Sequence, residues 1–257
     1  MPTRTLGVDL AGDKSSPTGI VELTLAKGAL EVTDATILKG HRAQLFERCA
    51  TFEGDIAVDQ PFGYSRHHEA LLAGGNVDPT LDADHIRFRA VDRTARQQLA
   101  EAGLKRDYVL AATSCDNLWR ALLLLQAAGV DLHQARRGEA RIVETHPRIA
   151  LFHLLEGHPE RTELIRTYKS SKAKATAHDV RRSLVDEWLQ AGWLRCADTV
   201  VLATLSQTDD GFEGLIAAIA AAAKSLEIAT RLGDPDEGVY VLPPSLARLR
   251  KYLDQTA

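Results

Sequence analysis

The N-terminal part of the chain alternates between apolar and polar positions in the way that strands do. Leu6–Leu10 is a short apolar run, and Gly19–Leu25 and Leu30–Leu38 largely alternate, the pattern of a strand with one buried face. Lys27 and Gly28 separate the last two segments and predict a hairpin turn. The pattern therefore predicts three consecutive strands.

A helix over His41–Phe52 and a strand over Ile56–Asp59 follow, which gives the order βββαβ. Glycine and proline residues then interrupt the pattern, and we interpret residues 60–138 as a helical insertion that covers one face of the sheet. Helices are expected near Ile86–Glu101 and Asp116–Ala128. The second is apolar on most of its sides, which indicates burial.

The C-terminal part of the chain mixes helical spacing with short apolar runs. The predicted core spans both ends of the chain, so we expect a single domain over residues 1–257 with the insertion inside it. The elements predicted here are a strand at Arg141–Glu144, a helix from Pro147 to Leu155, a helix at Thr176–Leu189, a strand or helix at Thr199–Leu205, a helix at Gly211–Leu226 capped by Asp209, and a strand at Gly238–Leu242.

The composition is that of an ordinary soluble protein. Of the 257 residues, 45% are hydrophobic and 26% are charged, and the net charge of −4 argues against non-specific coating of nucleic acid. Three cysteines without a CxxC pair favour a reducing compartment. With no signal peptide and no apolar stretch of membrane length, we expect a cytoplasmic protein without a membrane partner.

Acidic residues stand at the ends of several of these apolar runs. Asp9, Asp59 and Glu144 each close a predicted strand, and Asp210 and Glu213 open the Ala-rich helix. Carboxylates brought together in a core repel one another and lose hydration, and a divalent cation would resolve the conflict. Ligands that are all oxygen atoms favour Mg²⁺ or Mn²⁺ over zinc.

Each of these acids also has a simpler interpretation. A single Asp at the end of a strand is often a turn residue or a helix cap, and the helix dipole favours acids such as Asp210 and Glu213 in any first turn. Five acids in this arrangement are harder to explain in that way. The histidines, including His146, lack partners at zinc spacing.

Two groups of charged residues are candidates for substrate binding. The segment Arg161–Arg182 holds seven basic and two acidic residues and could contact a phosphodiester backbone, or form a solvated loop and helix face. On the predicted insertion helix, Arg89 and Asp92 either reach over the site or form an exposed ion pair. The candidate substrate-binding residues are Arg89, Asp92, Lys169, Lys172 and Lys174.

The chain resembles the predicted ribonuclease H-like nucleases grouped as domain of unknown function 429. The resemblance runs in order along nearly the whole chain. The stretches that carry it are Gly7-Val8-Asp9-Leu10-Ala11-Gly12, Ile56-Ala57-Val58-Asp59-Gln60-Pro61, Arg89-Ala90-Val91-Asp92, Val143-Glu144-Thr145-His146-Pro147-Arg148, Tyr168-Lys169, Asp209-Asp210-Gly211-Phe212-Glu213-Gly214-Leu215-Ile216-Ala217-Ala218 and Glu237-Gly238.

This resemblance implies an α/β fold with a ribonuclease H-like mixed sheet (βββαβ…βα) and a metal site made by Asp9, Asp59, Asp210 and Glu213, with Glu144 beside them. In a two-metal hydrolysis of phosphodiester bonds, Asp9 would bridge both ions, Asp59 would hold one, and Asp210 and Glu213 the other. Glu144 would complete the shell or orient water. The sequence departs from the family at Glu213, where Asp is usual, and at Gln60, where a small residue is usual.

The expected function is that of a metal-dependent nuclease or phosphodiesterase acting on nucleic acid or on a small phosphodiester. One alternative is an ATPase or kinase of the actin and sugar-kinase type, although that class normally needs two facing domains. Another is a catalytically silent ribonuclease H-like binding module. A homodimer is possible, since the apolar faces of Leu122–Leu125 and Ala217–Ala223 could pack internally or across an interface.

Overall fold

The computed structural model describes residues 3–10, 16–40, 42–76, 78, 80–110, 115–170 and 173–255, with the backbone only at residues 42 and 115–117. Strands occur near both ends of the described chain and between its helices. The strands are β1 (Arg4–Asp9), β2 (Pro17–Ala26), β3 (Ala29–Lys39), β4 (Asp55–Val58), β5 (Ile142–Glu144), β6 (Leu194–Arg195), β7 (Thr230–Asp234) and β8 (Gly238–Leu242).

Helices fill most of the remaining described chain. They are α1 (Arg42–Thr51), α2 (Arg66–Leu72), α3 (Ala83–Arg87), α4 (Ala90–Glu101), a 3-10 turn (Arg106–Tyr108), α5 (Cys115–Ala127), α6 (Leu132–Arg136), α7 (Pro147–Leu154), α8 (Arg161–Thr167), α9 (Lys174–Gln190), α10 (Thr199–Gln207), α11 (Asp209–Ser225) and α12 (Leu246–Gln255). Helices α2–α6 lie between β4 and β5, in the segment that the sequence assigns to an insertion.

Six strands form one mixed sheet in the order β5-β4-β1-β2-β3-β6. The first three strands of the chain pair antiparallel, whereas β4 and β5 join β1 in parallel, and β6 runs parallel to β3. The expectation of a mixed α/β fold is thereby confirmed. Strands β7 and β8 form a separate antiparallel pair.

The sheet is covered by helices on both faces. Along β2, Val21 and Leu23 contribute to a core with residues of α4, α7, α9 and α11, while Ile20 contributes to a second core with residues of α1 and α5. The alternation that predicts strand β2 is therefore an alternation between two apolar layers. Among the described residues, no helix is long and apolar enough to cross a membrane.

Helix α11 lies unusually close to the backbone of β1 and β2. A Cβ atom on Gly7 would collide with the backbone of Gly214 and Ala218, and one on Gly19 would collide with the carbonyl group of Asp210. Glycine is therefore required at both strand positions for this approach. The close packing brings the first turns of α11 to the end of β1, where Asp9 lies.

Several elements differ from the sequence predictions. Thr199–Leu205, compatible with strand or helix, belongs to helix α10, and the Oγ1 atom of Thr208, rather than Asp209, caps α11 by accepting a hydrogen bond from the Gly211 N–H at 3.0 Å. Helix α5 is less buried than predicted, since Trp119 is 60% exposed. The individual elements that the pattern missed are α2, α3, the 3-10 turn and α6 within the predicted helical insertion, and α8, β6, β7 and α12.

Candidate metal centre

Two of the predicted acids lie side by side at one edge of the sheet. Asp9 is the last residue of β1, and Asp59 directly follows β4. Because the two strands are parallel, with Val8 opposite Val58, their carboxyl ends meet at the same edge. The Asp59 N–H donates a hydrogen bond to the Val8 carbonyl oxygen at 2.9 Å, which continues the pairing up to the two acids.

Glu213 joins these two acids from helix α11. One carboxylate oxygen each from Asp9, Asp59 and Glu213 lies within 4.8 Å of the others. Asp9 and Glu213 are buried, and Asp59 is partly buried. We call Asp9, Asp59 and Glu213 the acidic triad. It is a group of oxygen ligands that could hold a metal ion.

The electrostatics of the acidic triad are unfavourable without a cation. Burial, followed by repulsion from Glu213, raises the pKa of Asp59 to about 7. Burial and the charges of Glu213 and Asp59 also raise the pKa of Asp9 well above its ordinary value. Both shifts are the expected response of carboxylates that are crowded in a site of low polarity. A divalent cation would reverse both effects.

Glu213 differs from its two neighbours because it has hydrogen-bond donors. The Tyr168 hydroxyl donates to its Oε1 at 2.7 Å, and the Lys169 ammonium forms an ion pair with its Oε2. Burial opposes ionisation of Glu213, but Lys169, the Tyr168 hydroxyl and the charge of Arg148 together outweigh it, and the pKa of Glu213 lies below its ordinary value. The acidic triad thus combines one carboxylate that is stabilised in its ionised form with two for which burial and repulsion outweigh the nearby positive charge.

Asp210 occupies the first turn of α11, one helical turn before Glu213. Its carboxylate is half-buried and lies outside the group of mutually close oxygens. Burial, and then the charge of Asp209, raises its pKa above the ordinary value. The structure therefore places Asp210 beside the acidic triad rather than within it.

Glu144 ends β5, and its carboxylate is engaged by an arginine. Arg89 donates hydrogen bonds to its two oxygens at 2.8 and 2.6 Å, and the Phe62 N–H donates to Oε2 at 3.0 Å. Arg89 also binds Asp92, which in turn accepts a hydrogen bond from the Tyr240 hydroxyl at 2.5 Å. We call Arg89, Asp92, Glu144 and Tyr240 the arginine network.

The arginine network differs from the exposed ion pair that was one interpretation of Arg89 and Asp92. Both side chains are 1% exposed, and Arg89 precedes α4 instead of lying within it. Burial opposes ionisation of Asp92, but Arg89 outweighs it and holds the pKa of Asp92 below its ordinary value. Among the remaining substrate-binding candidates, Lys174 is exposed at the start of α9, and Lys172 lies outside the described residues.

A pocket of about 310 Å³ opens between the acidic triad and the arginine network. Sequence reasoning did not assign three of its polar residues, Gln60, His146 and Arg148, to the site. All three lie within stretches that carry the family resemblance, which was the available signal. The pocket is lined by Asp59, Gln60, Pro61, Arg89, Asp92, Asp107, Tyr108, Leu110, Glu144, Thr145, His146, Arg148, Lys169, Glu213 and Tyr240.

Gln60 presents an unsatisfied oxygen atom in this pocket. Its side chain is 7% exposed, and its Nε2 atom donates to the Leu10 carbonyl oxygen at 2.8 Å. A carbonyl can only accept, so this bond fixes which end of the amide is nitrogen. The Oε1 atom is buried and has no hydrogen-bond partner among the described residues. Buried polar atoms are rarely left in that state, so a ligand or its water shell fits here.

His146 has a buried ring nitrogen at the same pocket. Its Nδ1 atom has no hydrogen-bond partner within the described chain, and its ring packs against that of Tyr240 at 5.6 Å. Burial, only partly offset by the charge of Glu213, lowers the pKa of His146 to about 4. The imidazole is therefore neutral at neutral pH.

Comparison with known proteins identifies a family without assigning an activity. The model of the family described as Protein of unknown function (DUF429) matches residues 7–238, and the chain belongs to this family. No curated protein and no solved structure matches the chain.

Proposed function

We propose that this member of the family is a phosphodiester hydrolase, a nuclease or related phosphodiesterase, that uses Mg²⁺ or Mn²⁺. The observation that carries the proposal is the acidic triad, where two carboxylates with raised pKa values adjoin a third ionised one. Hard divalent cations prefer such oxygen ligands. The unpartnered oxygen of Gln60 supports the fit, because it can accept a hydrogen bond from a metal-bound water.

We also propose that the six-stranded sheet is of the ribonuclease H-like type. The antiparallel β1–β2–β3 meander, with β4 and β5 added in parallel beside β1, supports this assignment. In such a sheet the two central parallel strands end at one edge, and acids placed there meet. Fold alone does not specify activity, so the proposal depends on the acids rather than on the sheet.

Each group of side chains in the site has a proposed role. Asp9, Asp59 and Glu213 would hold the metal, which when bound polarises the phosphate and lowers the pKa of water. Asp210, half-buried one turn away, is placed to orient water or to approach a second ion. Lys169 forms an ion pair with Glu213 and lines the pocket. The arginine network fixes β5 and α4, which form one wall of the pocket.

The first test is a calorimetric Mn²⁺ titration of the wild type and of Asp59→Asn. We expect binding of one or two ions to the wild type and its loss in the variant, while Asp254→Asn, which removes an exposed carboxylate on α12, binds as the wild type does. Wild-type protein that fails to bind Mn²⁺ would remove the basis of the proposal.

The second test is hydrolysis of bis(p-nitrophenyl) phosphate and of labelled DNA and RNA oligonucleotides. We expect Mn²⁺-dependent cleavage that Asp59→Asn and Asp9→Asn each reduce at least about a thousandfold, because the attacking water loses its activation. Metal binding without cleavage of any substrate would favour the silent binding module instead.

A further inference from the structure

Arg148 lines the pocket, and its guanidinium group lies against two aromatic rings. Its guanidinium carbon lies 4.1 Å from the ring centre of Tyr108 and 5.1 Å from that of Tyr168. Its Nε atom donates to the Tyr168 hydroxyl oxygen at 3.3 Å. The two aromatic rings and this bond restrict the guanidinium to one orientation, so its binding geometry is prepared in advance.

Arg148 forms no ion pair within the described chain, although the charge of Glu213 acts on it from a greater distance. Its Nε bond is its only hydrogen bond among the described residues. By contrast, Arg89 and Lys169, the other cations lining the pocket, are both paired. A partly buried, oriented guanidinium with free terminal nitrogens is a strong site for a phosphate group.

Arg148 is connected to the acidic triad through one residue. Tyr168 accepts from Arg148 and donates to Glu213, so the guanidinium and the triad carboxylate share this hydroxyl. A phosphate bound by Arg148 would therefore lie beside the atoms that hold the metal. Gln60 and His146 line the same pocket, and each has a buried polar atom, Oε1 and Nδ1, without a hydrogen-bond partner among the described residues.

The size of the pocket limits what can enter it. A volume of about 310 Å³ is at the lower end of the range for small-molecule sites. A nucleotide unit supplies a phosphate for Arg148 and is of a size that fits this volume. An uninterrupted stretch of double helix is too wide for a pocket of this size.

We propose that Arg148 binds a substrate phosphate and that the pocket takes a single nucleotide unit, either the end of a nucleic-acid strand or a free small nucleotide ester. This inference rests on the proposed function, of which it names the substrate class. It makes Arg148 a specificity-determining residue.

The binding test uses thymidine 5′-monophosphate, thymidine and inorganic phosphate as probes, titrated calorimetrically in Mn²⁺ and again in EDTA. We expect the monophosphate to bind the wild type on the order of tenfold to a hundredfold more tightly than Arg148→Gln, in both media. Thymidine, which lacks the phosphate, should not distinguish the two proteins. Equal monophosphate binding by wild type and Arg148→Gln in both media overturns the inference.

Two further variants test whether a loss of affinity comes from misfolding. Arg148→Lys keeps the charge but not the planar donors, and we expect monophosphate affinity between those of wild type and Arg148→Gln. Arg4→Gln removes another arginine stacked on an aromatic ring, that of Phe52, outside the pocket lining, and should bind as the wild type does. If Arg4→Gln lost as much affinity as Arg148→Gln, a general loss of structure would explain both results and the inference would fail.

Cleavage assays separate the two sources of the nucleotide unit. Activity on a linear single strand with no activity on a covalently closed circle indicates strand ends, and activity on a dinucleotide only indicates a small ester. Cleavage of the circle as fast as the linear strand contradicts the inference.

The two proposals fail in different ways. Loss of Mn²⁺ binding in Asp59→Asn with retained Mn²⁺ binding in Arg148→Gln is expected when both are correct. An inactive, metal-free wild type defeats the hydrolase proposal, while the EDTA titration still decides the role of Arg148.

Discussion

The acidic triad and the arginine network are buried groups of acids that differ in how their charge is balanced. In the arginine network, Asp92 and Glu144 share one guanidinium that donates to both. In the acidic triad, Lys169 pairs with Glu213, while Asp9 and Asp59 have raised pKa values. Asp59, Glu213 and the arginine network line the same pocket. Burial raises the pKa of Glu144 as well, but Arg89 donates to each carboxylate of its network, whereas Asp9 and Asp59 form no ion pair among the described residues.

This difference separates a structural role from a ligand-binding one. Removing a partner from a complete buried ion pair leaves an uncompensated charge and costs stability. Removing an acid from an incomplete cluster relieves repulsion and costs affinity for a cation instead. Glu144, which the sequence grouped with the metal-site acids, lies in the complete group, and this is the reason to expect a supporting role for it.

The largest expected effect on stability is that of Arg89→Met. The change leaves Asp92 and Glu144 buried without their shared cation, and we expect a loss of about 3–5 kcal/mol in the free energy of unfolding. Urea denaturation measures it, with Arg87→Met, an exposed arginine nearby, as the control. A midpoint unchanged from the wild type would mean that the arginine network is not structural.

The next effect is the contribution of Asp59 to the pH dependence of stability. Asp59 has a pKa of about 7 in the folded protein and about 4 when unfolded, so the folded state holds more protons between these values. We therefore expect the contribution of Asp59 to the stability of the metal-free protein to fall as pH rises from about 4 to about 7, by up to about 1.4 kcal/mol per pH unit. Burial lowers the pKa of His146 to about 4, so the contribution of His146 rises with pH up to about 6.5 and opposes that of Asp59.

Asp59→Asn sharpens this prediction. Over the same window, the stability of the metal-free wild type relative to the variant should fall as pH rises, and near pH 8 the variant should be the more stable of the two, because the repulsion is removed. Mn²⁺ should stabilise the wild type above pH 7 but not the variant. Identical pH profiles would show that Asp59 is not the source of the electrostatic repulsion.

A smaller effect is expected from Lys169→Gln. Lys169 occupies an oxygen of Glu213 that a metal could use, so its removal should tighten Mn²⁺ binding several-fold while lowering metal-free stability by about 1 kcal/mol. Thermal unfolding with and without Mn²⁺ measures both changes. Weaker Mn²⁺ binding would mean that Lys169 supports the metal site instead of competing with it.

The smallest effect is expected from Lys174→Gln, because this side chain is exposed at the start of α9. If it contacts a substrate phosphate, KM should rise by less than about threefold, with a weaker dependence on salt. The measurement is KM as a function of ionic strength. A large change in kcat would place Lys174 nearer to the chemistry than its exposure indicates.

The hydrophobic pattern predicted the strands of the meander and β4 well, because the apolar positions that define each strand lie within the strand itself. Helix α8, the short strand β6 and helix α12 were missed, since their formation depends on packing against elements distant in sequence. Helix α10 illustrates the same limit, because a short apolar run fits either a buried strand or a helix.

The sequence by itself determined that acids stand at the ends of β1 and β4 and at the start of α11, and that oxygen ligands favour a hard cation. Only the tertiary structure decided which acids meet. Gly7 and Gly19 admit α11 against the sheet and bring Glu213 to Asp9, while Arg89 reaches across to take Glu144 out of the acidic group. Contacts between residues far apart in sequence made these assignments, because the charge balance of a buried site depends on every group that folding brings near it.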